Sequence, residues 1–236
     1  MDDEYADKSL FVCSFEAYKT PKHIPTAMYQ PWVSSYVVRS INLSDLLAPP
    51  LSSSVKQLRK VADLADKDLP GEVGCGVLGS KIVFCSGLKP NMDPFRHGPP
   101  FGPNSSTDAY AFDVHDPKQG KVKMPGAMNG AKESPFMAEF AGKLYVLSCK
   151  AVDNFVSFEV FDPVQGTWSV LPRFPFCCFA FSCAIAGTKL FMSSQDDYYA
   201  DQDRSVWCFD LAARDPAWRR VPSMCQGGPL PLKAKL

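Results

Sequence analysis

Catalysis or metal binding in this chain would have to draw on three histidines, nine cysteines and a few suggestively placed carboxylates. Cys177, Cys178 and Cys183 are close enough in sequence to suggest thiolate ligands. A zinc site of that kind wants paired cysteines or histidines at short fixed spacing. The chain has no Cys-x-x-Cys pair and no histidine near these three, so strand packing and a link between units explain them better. Asp116 and Asp162 have the chemistry of a general acid or base, yet each precedes a proline, which marks a capped turn. Ser14, Ser86, Ser148 and Ser194 close four similar apolar runs. They suit either a polar ring at strand ends or a need for small side chains where strands converge. No Gly-x-Ser-x-Gly elbow or phosphate-cradling loop is present. What remains is a set of aromatic, charged and amide residues in segments that do not repeat: Phe95, Arg96, His97 and Phe101; Asp153 and Asn154; Asp197, Tyr198, Tyr199 and Arg204.

The elements that must position these residues are short apolar runs. Between Pro135 and Pro172 four of them follow one another: Phe136 to Phe140, Lys143 to Ser148, Phe155 to Asp162 and Thr167 to Leu171. Ala141-Gly142 and Pro163-Val164-Gln165-Gly166 make two of the junctions. Runs rich in aromatic and β-branched residues and bounded by Gly and Pro read as strands. Four in a row with tight links predict an up-and-down antiparallel sheet, the shape of one propeller blade.

One such sheet cannot bury both faces, so the unit must recur. Leu144-Tyr145-Val146-Leu147-Ser148 is echoed by Ile82 to Ser86, by Leu190 to Ser194 and by Leu10 to Ser14. Gly79, Gly142 and Gly187 stand shortly before three of these runs. Asp116-Pro117-Lys118-Gln119-Gly120 matches Asp162-Pro163-Val164-Gln165-Gly166, with Asp210-Leu211 a looser copy. Trp168-Ser169-Val170-Leu171-Pro172 matches Trp218-Arg219-Arg220-Val221-Pro222, and Lys121 to Pro125 is a version without Trp. The repeated positions of Trp168 and Trp218 assign them to packing between blades.

The units divide the chain into a lead over 1–8, a degenerate blade over 9–70, a blade over 73–125, the best-formed blade over 135–172, a blade over 179–224 and an unstructured tail over 225–236. In the degenerate blade Ser9 to Phe15 and Ser35 to Leu43 read as strands. Val55 to Leu64 suits a helix by spacing, while the repeat order asks for a fourth strand, and strand is the reading taken. The blade over 73–125 carries a Pro- and Gly-loaded insert, Leu88 to Thr107, unfit for a sheet interior.

Composition bounds the function. At 46% hydrophobic and 21% charged residues a real core is expected. Lys+Arg and Asp+Glu are both 25, so no net field favours nucleic acid or an anionic membrane. No apolar run reaches the roughly 18 residues of a membrane helix, and the acidic start does not resemble a signal peptide. An odd number of cysteines, several inside strand patterns, fits a reducing compartment, cytoplasm or nucleus, with thiols as small apolar side chains.

With its units aligned the chain resembles the kelch repeat, in the divergent form of plant F-box/kelch proteins. The Gly-Lys-Leu-Tyr second strand, the Asp-Pro ending and the Trp opening the fourth strand carry the resemblance, well over 73–224 and weakly over 9–70. Kelch second strands usually end in a Gly pair; here those positions read Ser86-Gly87, Ser148-Cys149 and Ser194-Gln195. No F-box-like segment precedes the repeats. The resemblance implies an all-β fold, a partial and open propeller of about four blades, each a four-stranded antiparallel sheet. Kelch-type copper oxidases need two His with Tyr on the axis. Here His115 lies beside a 3–4 turn, and His23 and His97 lie in 2–3 links at the opposite end. The Glu-x3-Asp-x3-His iron motif of plant specifier proteins is absent.

In such a blade the 1–2 and 3–4 links lie at one end and the 2–3 and 4–1 links at the other. The 2–3 links here are long and all different, and variation on a rigid scaffold is where binding specificity sits. The ten residues named above, from Phe95 to Arg204, lie in these links. The expected function is therefore non-enzymatic binding of another protein at the 2–3 end, without cofactor or metal, and without nucleic-acid or membrane partners. By family analogy this extends to substrate recognition for a ubiquitin ligase. A metal-dependent or ligand-binding propeller, and a truncated product without independent function, are the alternatives.

Overall fold

The computed structural model describes residues 8–18, 33–47, 58–65, 70, 73–87, 106–132, 134–148, 156–175, 181–194 and 206–222. These form four antiparallel meanders in chain order. The first has three strands: β1 (Ser9–Tyr18), β2 (Val33–Asn42) and β3 (Arg59–Ala65). The second has four: β4 (Gly74–Leu78), β5 (Lys81–Cys85), β6 (Ala109–Asp113) and β7 (Lys121–Lys123). The third comprises β8 (Phe136–Phe140), β9 (Lys143–Leu147), β10 (Phe158–Asp162) and β11 (Thr167–Val170). The fourth comprises β12 (Phe181–Ala186), β13 (Lys189–Ser194), β14 (Val206–Asp210) and β15 (Trp218–Arg220). The described part of the ambiguous segment of the first unit is strand from Arg59 on, because Ala62 and Leu64 pair with Val38 and Tyr36 of β2. A one-turn helix, α1 (Leu43–Leu47), follows β2 and was not apparent in the apolar pattern.

The hairpins follow from local chemistry. Phe140 pairs with Lys143, leaving Ala141 and Gly142 as a two-residue turn with φ of 50° and 71°. Positive φ at both central residues is the type I′ requirement, and its twist matches that of the strands. At the same end of each four-stranded sheet, an aspartate closes the third strand opposite the lysine that opens the second. Asp162 shows the full arrangement: its Oδ1 accepts from the Val164 and Gln165 amides at 2.9 and 3.2 Å, and Lys143 Nζ lies 2.8 Å from Oδ2. Asp210 accepts from the Ala212 amide at 3.1 Å. In the second sheet this place belongs to Asp113, which accepts from the His115 amide at 2.9 Å and pairs with Lys81. Asp116, the expected capping residue there, makes no side-chain cap to the 3-10 turn Pro117–Gln119. The extra residues Val114 to Asp116 displace the Asp-Pro motif from the strand end.

Apolar clusters join each sheet to the next in chain order. Tyr36, Val38 and Leu64 of the first sheet pack with Ile82, Phe84 and Phe112 of the second. Val83, Cys85 and Ala109 of the second pack with Met137, Leu144, Val146 and Phe161 of the third. Tyr145, Leu147 and Phe158 of the third pack with Leu190, Met192 and Phe209 of the fourth. Trp218 sits in that last seam, with ring centroids 5.8 Å from Phe158 and 5.1 Å from Phe209, and its Nε1 donates to the Pro172 carbonyl at 3.0 Å. Trp168 packs on Phe161 at 5.1 Å and lies against the Pro125-Gly126 link from the preceding sheet. The architecture is propeller-like, and its sheets do not close into a ring.

The inner strands β4 and β8 meet at two glycines. A Cβ on Gly76 would lie 2.7 Å from the Met137 Cβ, and one on Gly74 would lie 2.5 Å from the Pro135 ring and 2.8 Å from its carbonyl oxygen. Both glycines are there to let two backbones converge, and overpacking a tight contact costs about 1–3 kcal/mol. Gly76→Val should lower stability by that amount in a urea titration followed by circular dichroism. Unchanged stability would refute the close approach. A pH effect follows from Asp162. The hydrogen bond from Lys143, and then the two turn amides, hold its carboxyl below the ordinary value of 3.8. A carboxyl depressed on folding contributes stability above its unfolded value and loses it as pH falls through the folded one. Asp162→Asn should therefore lower the urea midpoint at neutral pH and flatten its acid limb between about pH 5 and pH 2.

Candidate functional site

The 2–3 links leave from and return to a common end of the sheets, and that base is well defined. After β5, the Ser86 amide bonds the Asp108 carbonyl at 2.9 Å and the Ser106 amide bonds the Gly87 carbonyl at 2.9 Å. After β9, the Ser148 amide bonds the Ser157 carbonyl at 2.8 Å. The chain is therefore pinned on both sides of the links over 88–105 and 149–155. Ser86 has φ of 64°, a region costly for a residue with a Cβ. It stands where kelch strands carry glycine. Its hydroxyl offsets the strain, donating to the Ser106 carbonyl at 2.8 Å and accepting from the Lys132 amide. Ser86, Ser106, Ser148 and Ser157 are all buried. Of the four serines that close the second strands, Ser86 and Ser148 are buried, while Ser14 is part-buried and takes a 2.7 Å hydrogen bond from Arg39.

Beneath these serines lies a buried ion pair. Glu159 of β10 and Lys132, in the link from the second sheet to the third, are both 0% exposed and in direct contact. The carboxylate is fully engaged: Oε2 accepts from the Asn129 amide and from Asn129 Nδ2, each at 2.7 Å, and Oε1 accepts from the Gly130 amide at 3.0 Å as well as from Lys132 Nζ. Lys132 Nζ also donates to the Gly130 carbonyl at 2.9 Å. Burial pushes the Lys132 ammonium below its ordinary value, and Glu159 opposes that shift. The same segment touches both link bases. The Gly87 amide donates to the Lys132 carbonyl at 3.0 Å, and a Cβ on Gly130 would lie 2.8 Å from the Val156 Cβ. One charged clamp therefore sets two departure points relative to each other.

Sequence reasoning passed over this pair. Lys132 reads as an ordinary link lysine, and Glu159 as the polar member of an alternating strand. The available signal was the repeat itself: the positions matching Glu159 are Tyr110 and Trp207, paired with Phe84 and Met192 as Glu159 is with Val146. A carboxylate where sister repeats carry aromatic rings marks a buried charge that needs a partner.

All ten residues proposed from the sequence, Phe95, Arg96, His97, Phe101, Asp153, Asn154, Asp197, Tyr198, Tyr199 and Arg204, lie outside the described residues, as do His23, Cys177 and Cys178. Their links attach at the base just described, except that the link before Arg204 attaches after β13. His115 is exposed beside the 3–4 turn. Cys183 is half-buried against the seam between the third and fourth sheets. Burial pushes the Cys85 thiol well up, so it is a packing residue and not a nucleophile. Among the described residues no group of three or more His, Cys, Asp or Glu is placed to hold a metal ion. Among the same residues no helix is long and apolar enough to cross a membrane.

No protein-family model matches the chain. Among curated proteins it is similar to an F-box/kelch-repeat protein of Arabidopsis thaliana, 38% identical over 68 residues, which is 28% of this chain and 17% of that protein. Among solved structures it is similar to YjhT, with a TM-score of 0.52 and 12% identity, covering 80% of this chain and 62% of the other. The chain thus spans less than two thirds of either relative's length. At such identity the second likeness shows the fold alone. Together the two support the kelch-repeat resemblance and a propeller-like fold.

The ion pair makes a direct prediction. Removing one partner of a buried pair leaves an uncompensated charge and costs about 3–5 kcal/mol, whereas replacing both by apolar residues of similar size is often close to neutral. Glu159→Leu should therefore destabilise strongly, and adding Lys132→Met should recover the part due to the unpaired ammonium in denaturant titrations, but not the part due to the orphaned Asn129 and Gly130 amides. Additive losses in the double variant would show that the two charges are not coupled.

Proposed function

We propose that this chain is a non-enzymatic protein-binding module whose contact face is the 2–3 end of the sheets. Propellers with kelch-like repeats suit protein interaction in general, and the curated relative carries both an F-box and kelch repeats in its name. The observation that supports the reading most is the base on which the links stand. The links over 88–105 and 149–155 leave from bonded serines tied through one buried Lys132–Glu159 clamp. A rigid base carrying links that differ in every unit is the arrangement in which specificity resides in the links.

The contact residues on this reading are Phe95, Arg96, His97, Phe101, Asp153, Asn154, Asp197, Tyr198, Tyr199 and Arg204. Tyr and Arg are the residue types that most often dominate binding energy, and equal numbers of acidic and basic residues favour a protein over nucleic acid or an anionic membrane. By analogy with the F-box/kelch relative, the bound protein would be a substrate presented to a ubiquitin ligase, in the cytoplasm or nucleus. No cofactor enters this function.

The test is an affinity capture from cell extract, followed by titration of the captured partner. Tyr198→Ala combined with Tyr199→Ala should weaken binding at least tenfold, about 1.4 kcal/mol. Val164→Ala, at a 94% exposed position on the opposite end, should leave it unchanged. Retention of every partner by the double tyrosine variant would remove the acidic-aromatic link from the face. Stoichiometric iron or copper in the purified protein would instead favour a metal-dependent propeller.

A further inference from the structure

The seam between the first two sheets brings together two cysteines from distant parts of the chain. Cys13 on β1 pairs with Val38 on β2, and directly paired residues project to the same face. Val38 is fully buried in the cluster that contains Phe84, so this face of the first sheet looks toward the second. On the other side, Cys75 of β4 pairs with Phe84 of β5, which places it on the face of the second sheet that looks toward the first. Cys13 packs against that cluster, and the two thiols are hydrogen-bond partners. The neighbouring Gly74 and Gly76 face the other way, onto Pro135 and Met137. Cys85, on the adjacent strand, is likewise buried in the opposite seam. Neither thiol of the pair is sealed off: Cys13 is half-buried and Cys75 exposed, and both are free.

We infer that Cys13 and Cys75 form an oxidisable dithiol that a hydroperoxide converts into a disulfide fastening the first sheet to the second. The hydrogen bond from Cys75 holds the Cys13 thiol below its ordinary value, while Cys75 is pushed up as the donor; Cys13 is thus the better nucleophile. Its thiolate attacks one peroxide oxygen, the O–O bond breaks, and hydroxide leaves to give a sulfenic acid. The Cys75 sulfur then attacks the Cys13 sulfur, its proton joins the departing hydroxide, and water is released. Two thiols and one molecule of hydrogen peroxide give one disulfide and two of water. The bond would close a chain loop from residue 13 to residue 75 across a seam otherwise held by apolar contacts and the hydrogen bonds of the Tyr36 hydroxyl.

The experiment uses the wild-type full chain. Purified protein is treated with hydrogen peroxide, its remaining thiols are alkylated, and peptides are mapped by mass spectrometry without reduction. A monomeric species containing a Cys13–Cys75 linked peptide is expected. Its thermal midpoint should rise by roughly 5 °C or more and return after dithiothreitol. Cys75→Ser should lose both the linked peptide and the shift. Alkylation of both cysteines after treatment, pairing of either with another cysteine or another molecule, or oxidation of either to a sulfinic acid without a linked peptide would overturn the inference.

Discussion

A carboxylate with four hydrogen bonds and an ammonium, both removed from water, occupy the seam between the second and third sheets. Ion pairs in such places seldom add much net stability over apolar contact, because desolvation consumes most of the attraction. What they add is intolerance. Leucines can slide past one another at small cost, but Glu159 must meet the Asn129 and Gly130 amides and Lys132 in one arrangement or remain unpaired in a dry interior. The register between these two sheets is therefore set by geometry at one point. The remainder of the seam, with Gly74 and Gly76 against β8, is shaped to let the backbones come close enough for that point to form.

The other two seams work differently. Between the third and fourth sheets the contact is aromatic, with Phe158, Phe174, Phe209 and Trp218 meeting at centroid distances of 4.9–5.8 Å. Between the first and second it is aliphatic and aromatic, tied by the Tyr36 hydroxyl, which donates to the Pro70 carbonyl and accepts from the Val73 amide. The arc thus has a charged middle and apolar flanks. On its outer side the first sheet shows Leu10 and Val12, 44% and 37% exposed, the natural result of a row of sheets that does not close.

Much of the fold was legible because repeats check one another. The strands of the second, third and fourth sheets begin and end within a few residues of the apolar runs that foretold them, and the part of Val55 to Leu64 from Arg59 on was rightly placed as strand by its position in the order. The errors came where a repeat drifted. Asp116 kept the motif of Asp162 while Asp113 kept its job, since the added residues moved the motif and not the strand end. The first sheet has three strands among the described residues, matching the second, third and fourth strands that this degenerate unit offered. The Lys132–Glu159 clamp escaped notice because a link and a strand, 27 residues apart, meet only when two sheets pack; neither residue is unusual in its own segment. The proposed contact residues stand outside the described chain, so the sequence remains their argument.

The pinned serines have an evolutionary consequence. Once Gly87 and Ser106 are bonded to each other and to the segment around Lys132, the distance between the ends of the intervening segment no longer depends on its length. Doubling a segment between fixed ends costs only about 0.6 kcal/mol of closure entropy. Insertions there leave the core untouched, so this end of the molecule can change in length and sequence faster than the sheets beneath can change theirs.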